Sequence, residues 1–376
     1  MKLRLSQRAT LGLLELTLPL IVCASITFSI AYNNYEAFSH AIMTAEPPGD
    51  TAEYLQAYLD PQALFSDESH VQFRAYRLAT PLLARLVPDP PQNVFRSGRP
   101  LDPMGAAVFK FAIVTALFNL ATCLVIYAIC RRLQLSRLLS LLGAALYSTL
   151  TFVVVVDGIP HVDAVFFFAF ALGSHAVLTR NIGLIVVTTV LGTFIKEAIF
   201  LLGVLALLLP APMRSRVMLI AAMVPGALVY VAVRYIALPS STDYFASGTF
   251  IPLAGVALHN LITLNGIEWV FMGFNFLWLP ILWTLFRGRA DPTLVRWSLF
   301  LPVLIIVTVG AGSDHFGRSM PLAAPVAIPL ALLALKSLLE LVEQREGELA
   351  MSVSDERATT DNTLKAAEHG LSPEPS

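Results

Sequence analysis

Nine apolar runs, most of them close to the length of a lipid bilayer, leave this chain little freedom in what it can fold into. They lie at 11–32, 106–130, 138–156, 163–179, 182–210, 217–238, 267–286, 297–312 and 319–342. About 20 apolar residues in a helix cross the hydrocarbon core, and inside lipid a helix satisfies its own backbone polar groups. The pattern dictates an all-α polytopic membrane protein. The charged fraction agrees: it is 14% here, against roughly 25% in a soluble domain. The runs occupy most of the 376 residues and leave no room for a second large soluble domain.

The first run follows MKLRLSQR and extends for about 22 residues, longer than the roughly 7–15 of a signal-peptide core, with no clear cleavage pattern after it. It reads as a retained span. The short basic loops orient the rest: Arg131/Arg132/Arg137, Arg180, Arg214/Arg216 and Arg287/Arg289/Arg296 mark the cytoplasmic side. The N-terminus is then inside. The polar segment 33–105 is outside, because long loops do not follow the charge rule. Residues 1–344 form the membrane unit. The tail 345–376, rich in Glu, Ser, Thr and Pro, is expected to be cytoplasmic and disordered.

The run 182–210 breaks this scheme if it crosses once, since Arg180 and Arg214 would fall on opposite sides. A hairpin with its turn at "FIKEAIF", where Lys196 and Glu197 interrupt the apolar sequence, restores it and gives about ten passes. One long tilted helix carrying a buried Lys–Glu pair is the alternative. In the outer loop, "TAEYLQAYL" sets Ala52, Leu55, Tyr58 and Leu59 on one helical face. "FRAYRLATPLLARLV" does the same with Leu78, Leu82, Leu83 and Leu86. Both read as short interfacial helices.

A net charge of −1 gives no reason to expect nucleic acid as a partner. Cys23, Cys123 and Cys130 lie in or at the ends of apolar runs, without metal-ligand spacing, and read as buried free thiols. On the expected topology the ionisable residues gather on the outer face. Asp50 and Glu53 follow the first span. Asp157, His161 and Asp163 sit in "VVVVDGIPHVDAVFFF". Lys196 and Glu197 form the hairpin turn. Asp314, His315 and Arg318 sit in "GAGSDHFGRSMPLAAP". Each has an ordinary use as well: Asp157 with Gly158 makes a turn, Asp163 can cap a helix, and Arg318 can reach for headgroups. Together they supply a carboxylate that can act as general base and cations that can hold a phosphate.

These residues resemble those of the GT-C glycosyltransferases, polytopic enzymes that use polyprenyl-phosphate sugars. The first span is followed by an outer loop with an early acid ("GDTAEY") and interfacial helices ("FRAYRLATPLL"). An acid-bearing turn ("DGIPHVDAVFFF"), the Lys/Glu turn "FIKEAIFLL", and a late turn before a Pro-containing last span ("SDHFGRSMPLAAPVAIPLAL") complete the likeness. The resemblance covers roughly residues 10–340 and implies a small bacterial-type member of the inner (plasma) membrane. It implies Asp50 as catalytic base and Arg318 and Lys196, with His315, on the donor phosphate. Glu53, Asp157, His161, Asp163, Glu197 and Asp314 are left for the acceptor or a second acidic site. In some members that second acidic position helps bind a divalent metal; the cofactor itself stays open. The implied partners are a lipid-linked sugar, a glycan, lipid or protein acceptor, and membrane lipids. Asp50 departs from the family in lacking a clear paired acid. A transporter or flippase, and a non-catalytic partner in envelope glycan assembly, are the competing readings.

Overall fold

The computed structural model describes residues 17–35, 49–60, 77–90, 103–237, 263–287, 291–310 and 316–368. Among these residues the chain is entirely helical, with no strand. Four helices are long and apolar enough to cross a membrane: Pro103–Arg132, Met213–Arg234, Gly266–Arg287 and Ser319–Glu346. Their surroundings differ. The most apolar stretches of the first and last are 61% and 67% buried, those of the other two only 22% and 24%. The first and last therefore form the centre, and the middle two sit at the rim. There Leu228, Leu279 and Phe286 point outward, as lipid-facing side chains do.

Helix α1 covers 17–35. Helix α2 is Gly49–Leu59 and α3 is Ala79–Leu86. The central α4, Pro103–Arg132, opens on a proline and closes on Arg131 and Arg132. Both ends suit a helix, since proline lacks the donor that the first turn leaves unused and cations favour the C-terminal end. The run 138–156 is two helices, α5 (Arg137–Ser148) and α6 (Thr151–Val156), broken at Thr149 and Leu150. Helix α7 spans Asp163–Thr179, and its chain ends in a left-handed Arg180 with φ 56°. Helices α5 and α7 both pack along α4, and the C-terminal helix, Ala324–Glu368, packs against α5.

The run 182–210 is broken at the place the Lys–Glu pair suggests. Helix α8, Ile182–Thr193, is capped by Asn181. Its continuation is a 3-10 turn, Glu197–Leu201, leading into α9, Leu202–Leu208. Lys196 between them is extended, with φ −164°. The chain reverses there: Arg180 and Ile182, before the first arm, line one groove with Pro212 and Arg214, after the second. Each arm of about 12 residues rises only about 18 Å, too short to cross alone. Beyond it come α10 (Met213–Ala221) and α11 (Val224–Val231). Helix α11 approaches α8 closely enough that a Cβ on Gly226 would lie 2.8 Å from the carbonyl carbon of Thr189.

Lipid tails are as apolar as leucine, so packing and interhelical hydrogen bonds hold such a bundle together. Phe170 stacks on Phe300 at 5.7 Å. The buried Trp297 donates its indole N–H to Leu205 O at 3.0 Å, and Thr284 donates to Leu330 O at 2.9 Å. Cys23, Cys123 and Cys130 are buried free thiols.

Three expectations need correction. In α2 the buried residues are Thr51, Tyr54, Leu55 and Ala57, while Leu59 is exposed. In α3 the bundle takes up the compact Thr80, Pro81 and Ala84 and leaves Leu82 and Leu86 outward. Leu82 and Leu86 thus face away from the protein, where an interfacial helix meets lipid, while Leu83 packs against the core. The last helix runs on to Glu368, through residues the composition assigns to disorder. That stretch has no proline between Pro329 and Pro373 and is rich in Glu, Ala, Leu and Lys, which favour helix.

Candidate functional site

The N-terminal end of α7 is where separate parts of the sequence meet. The turn that leads to it, 157–162, exists because Asp157 ends α6 and Gly158 takes φ +82°. Gly158 also presses on α1: a Cβ there would lie 2.7 Å from Ala31 O. Its N–H donates to Thr115 Oγ1 on α4 at 3.0 Å. Asn34 of α1 donates its amide to the carbonyl oxygens of Val154 and Asp157. Two helices thus fix the turn from both sides.

Asp163 opens α7 but does not cap it; the N-cap is Val162, with no side-chain capping bond. The carboxylate is fully buried and faces other segments. Oδ1 lies 3.4 Å from Lys196 Nζ, and Oδ2 lies 3.2 Å from His161 Nδ1. The Asp163 N–H also points at His161 Nδ1, at 3.2 Å. The ammonium of Lys196 lies 5.4 Å from the centre of the Phe166 ring, one turn further along α7. Its side chain keeps 20% of its surface open.

The neighbouring Glu197 turns the other way. Both its oxygens accept from Arg77, at 3.1 and 3.3 Å. Lys196 and Glu197 therefore do not neutralise each other; each is paired with a residue from another segment. The loop before α3 is tied to the same turn through the backbone, Ala79 N–H donating to Phe194 O at 3.2 Å. From above, Tyr54 of α2 sets its ring edge-on to His161 with centroids 5.4 Å apart. Asp50 lies one turn before Tyr54 on the same helix, and residues four apart share a face. That register puts position 50 on the His161 side of α2. The side chains of Asp50 and Glu53 lie outside the described residues.

Asp157 sits deeper, 2% exposed. Burial pushes its carboxyl up to about 7, opposed by Asn119, the Gly158 N–H and Thr115. Among the described residues, neither Asp157 Oδ1 nor Asn119 Nδ2, both buried, completes a well-formed hydrogen bond. Asn119 Oδ1 is 3.5 Å from the hydroxyl of the buried Tyr147.

The late turn reaches the same region through its backbone. The 3-10 segment Phe316–Ala323 packs against α6 and α7. Arg318 belongs to that segment, but its side chain, like all of Asp314 and His315, lies outside the described residues.

The expected site residues His161 and Lys196 thus both meet Asp163, Glu197 and Asp157 flank them, and positions 50 and 318 lie on elements packed nearby. Arg77 is a partner that the sequence reading does not single out as a site residue, whereas Tyr54 belongs to the 46–60 stretch that it places beside the site. Arg77 carries a weak signal as a cation in an amphipathic stretch. Thr115, Asn119 and Thr122 carry a clearer one, recurring at helical spacing inside an apolar span. A second polar knot lies at the start of α4. There Lys110 meets Asp89 at 2.7 Å and lies 5.8 Å from the centre of the Tyr58 ring.

Among the described residues, Asp157, Asp163 and Glu197 do not make a ligand set for a divalent metal. Asp163 Oδ1 is paired with Lys196, Asp157 is pushed toward its neutral form, and Glu197 is held by Arg77. Among the described residues no group of three or more His, Cys, Asp or Glu could hold a metal ion. Comparison of the chain with family models, with curated proteins and with solved structures finds no match.

Proposed function

We propose that this is a membrane glycosyltransferase of about ten passes, moving a sugar from a polyprenyl-phosphate donor to an acceptor at the outer face. The observation that supports it is the meeting of α2, the 157–162 turn and the 196–197 turn at the head of α7. It brings a cation, a histidine and buried carboxylates to one end of an otherwise apolar bundle.

In this reading Asp50 takes the proton from an acceptor hydroxyl as its oxygen attacks the anomeric carbon. The bond from that carbon to the phosphate oxygen breaks, and the polyprenyl phosphate leaves with the electron pair. Lys196 and Arg318, with His315, hold the phosphate as charge builds on it; Lys acts as a point charge and Arg as a planar fork. His161 and Asp163 position Lys196. Arg77 holds Glu197, and so keeps the turn that carries Lys196 in place. An ammonium has three donors, so Lys196 can take a phosphate oxygen on its open side while keeping Asp163.

The test is transfer from a polyprenyl-phosphate sugar in proteoliposomes, alongside the envelope glycans of cells with and without the gene. Asp50→Asn should abolish transfer at unchanged protein abundance, and one sugar should be missing from the envelope. Full activity in that variant rejects the base assignment. A missing sugar with the lipid-linked sugar accumulating on the inner side, and no transfer in proteoliposomes, favours a flippase.

A further inference from the structure

At the opposite end of α7, about 25 Å away along 17 residues, lies an open groove of about 260 Å³. Arg180, Ile182, Pro212, Arg214, Ser215 and Met218 line it. It exists because the α8–α9 hairpin returns the chain to its starting level, so that the α7–α8 and α9–α10 connections lie side by side. Both connections are rigidly built. Arg180 ends α7 in the left-handed region, and Asn181 accepts from Leu184 N–H at 3.1 Å. Arg216 donates to Ala211 O at 2.8 Å and to Leu207 O at 3.2 Å, which closes the second connection.

Arg216 is thereby used up in structure, whereas Arg180 and Arg214 are not. Both are exposed, and among the described residues neither has an ion-pair partner. No acid is among the described residues that line the groove. Its walls are apolar and open: Ile182 is 41% and Met218 47% exposed, and Met213 and Val217 continue the apolar surface along α10. Two free guanidinium groups beside an open apolar wall match a ligand with a phosphate at one end and a hydrocarbon chain at the other. A free phosphate would use the cations and leave the wall in water. A neutral lipid would use the wall and leave the cations unpaired.

We infer that this groove binds the phosphate headgroup of an anionic membrane lipid. Arg180 and Arg214 grip the phosphate, and one acyl chain runs along Ile182 and Met218. Basic pockets between membrane helices suit such headgroups, and guanidinium is the better fork for a phosphate. The site stands apart from the cluster at the head of α7 and does not depend on what that cluster does.

The test uses the full chain, purified and delipidated in detergent. It is titrated separately with phosphatidylglycerol, phosphatidylcholine and inorganic phosphate, with occupancy read by native mass spectrometry. Phosphatidylglycerol should bind at least about tenfold more tightly than phosphatidylcholine, and Arg180→Gln with Arg214→Gln should remove about that factor. Arg296→Gln, on an exposed cation elsewhere, should change nothing. Ser215→Trp fills the groove and keeps both charges. It should also abolish binding, and it decides the question if the double variant fails to fold. Unchanged phosphatidylglycerol binding in Ser215→Trp overturns the site. Inorganic phosphate binding as tightly as phosphatidylglycerol overturns the lipid.

Discussion

Asp157 offers the most direct check on how this turn is built. Its carboxyl titrates near 7 in the fold, against 3.8 ordinarily, mainly because burial disfavours the charged form. The folded state therefore holds a proton that the unfolded chain has already released. Where the folded state binds more protons, stability falls as pH rises. The loss begins near the unfolded value, continues through the folded one, and is complete above about 7. Linkage gives about 1.4 kcal/mol per unit inside this window. Between pH 5 and pH 8 the change amounts to about 2–3 kcal/mol. At about 2 °C per kcal/mol for a chain of this size, the melting temperature should fall by about 5 °C over that range. Asp157→Asn has the shape of the neutral acid and cannot ionise. Melting curves of wild type and variant in one detergent, from pH 5 to pH 8, should diverge by that amount, with the variant gaining as pH rises. A difference that stays constant with pH would refute the claim that burial raises this carboxyl.

Gly158→Ala should cost about 1–3 kcal/mol, because φ +82° is strained for alanine and the new Cβ would meet Ala31 O; an unchanged melting temperature would contradict the close contact with α1. Arg77→Ala and Glu197→Ala should be less damaging together than the sum of the two. The coupling should be about 0.5–1 kcal/mol, since Glu197 is partly open to solvent; strict additivity in thermal unfolding would mean the pair is not formed. Asp163→Asn leaves Lys196 facing an amide, with an expected loss of about 3–5 kcal/mol. A polyprenyl phosphate should recover more stability in this variant than in wild type, and equal recovery would argue against Lys196 as a phosphate contact.

The apolar runs announce helices, and four of them are long and apolar enough to cross a membrane, but run length alone does not pick those four out: 138–156, as long as a span, breaks into two short helices. The reversal at Lys196–Glu197 is readable: two adjacent charges inside an apolar run need a place where neighbours can pair them. Who those neighbours are is not readable. Glu197 finds Arg77 across 120 positions, and nothing local distinguishes Arg77 from the other arginines of the same loop. The break at Thr149 and Leu150 has no glycine or proline to announce it; it comes from packing that buries Leu150. In α3 the eye follows the leucines. In a protein surrounded by lipid, though, the side that packs is the side of small residues, Thr80 and Ala84. The charge-rich tail misleads in the other direction, since a low hydropathy argues against a core but not against a lone helix.

The ion pairs at the head of α7 are hard to justify by stability. Taking a carboxylate and an ammonium out of water costs several kcal/mol each, and an apolar pair of the same size often serves a fold as well or better. Asp163 is nearly fully buried and Lys196 about four-fifths buried, so this pair bears most of that penalty. Surface ion pairs that tether loops carry no such cost. The arrangement makes more sense as a site whose charge belongs to a second molecule. The positive end of α7 and the Lys196 ammonium both favour an anion at this point, and Asp163 now supplies it. A phosphate carries more charge and more acceptor oxygens than a carboxylate, and one side of Lys196 remains open to it. On the proposed function, Asp163 would keep the ammonium charged and aimed between turnovers, with His161 accepting from the Asp163 N–H and backed by Tyr54.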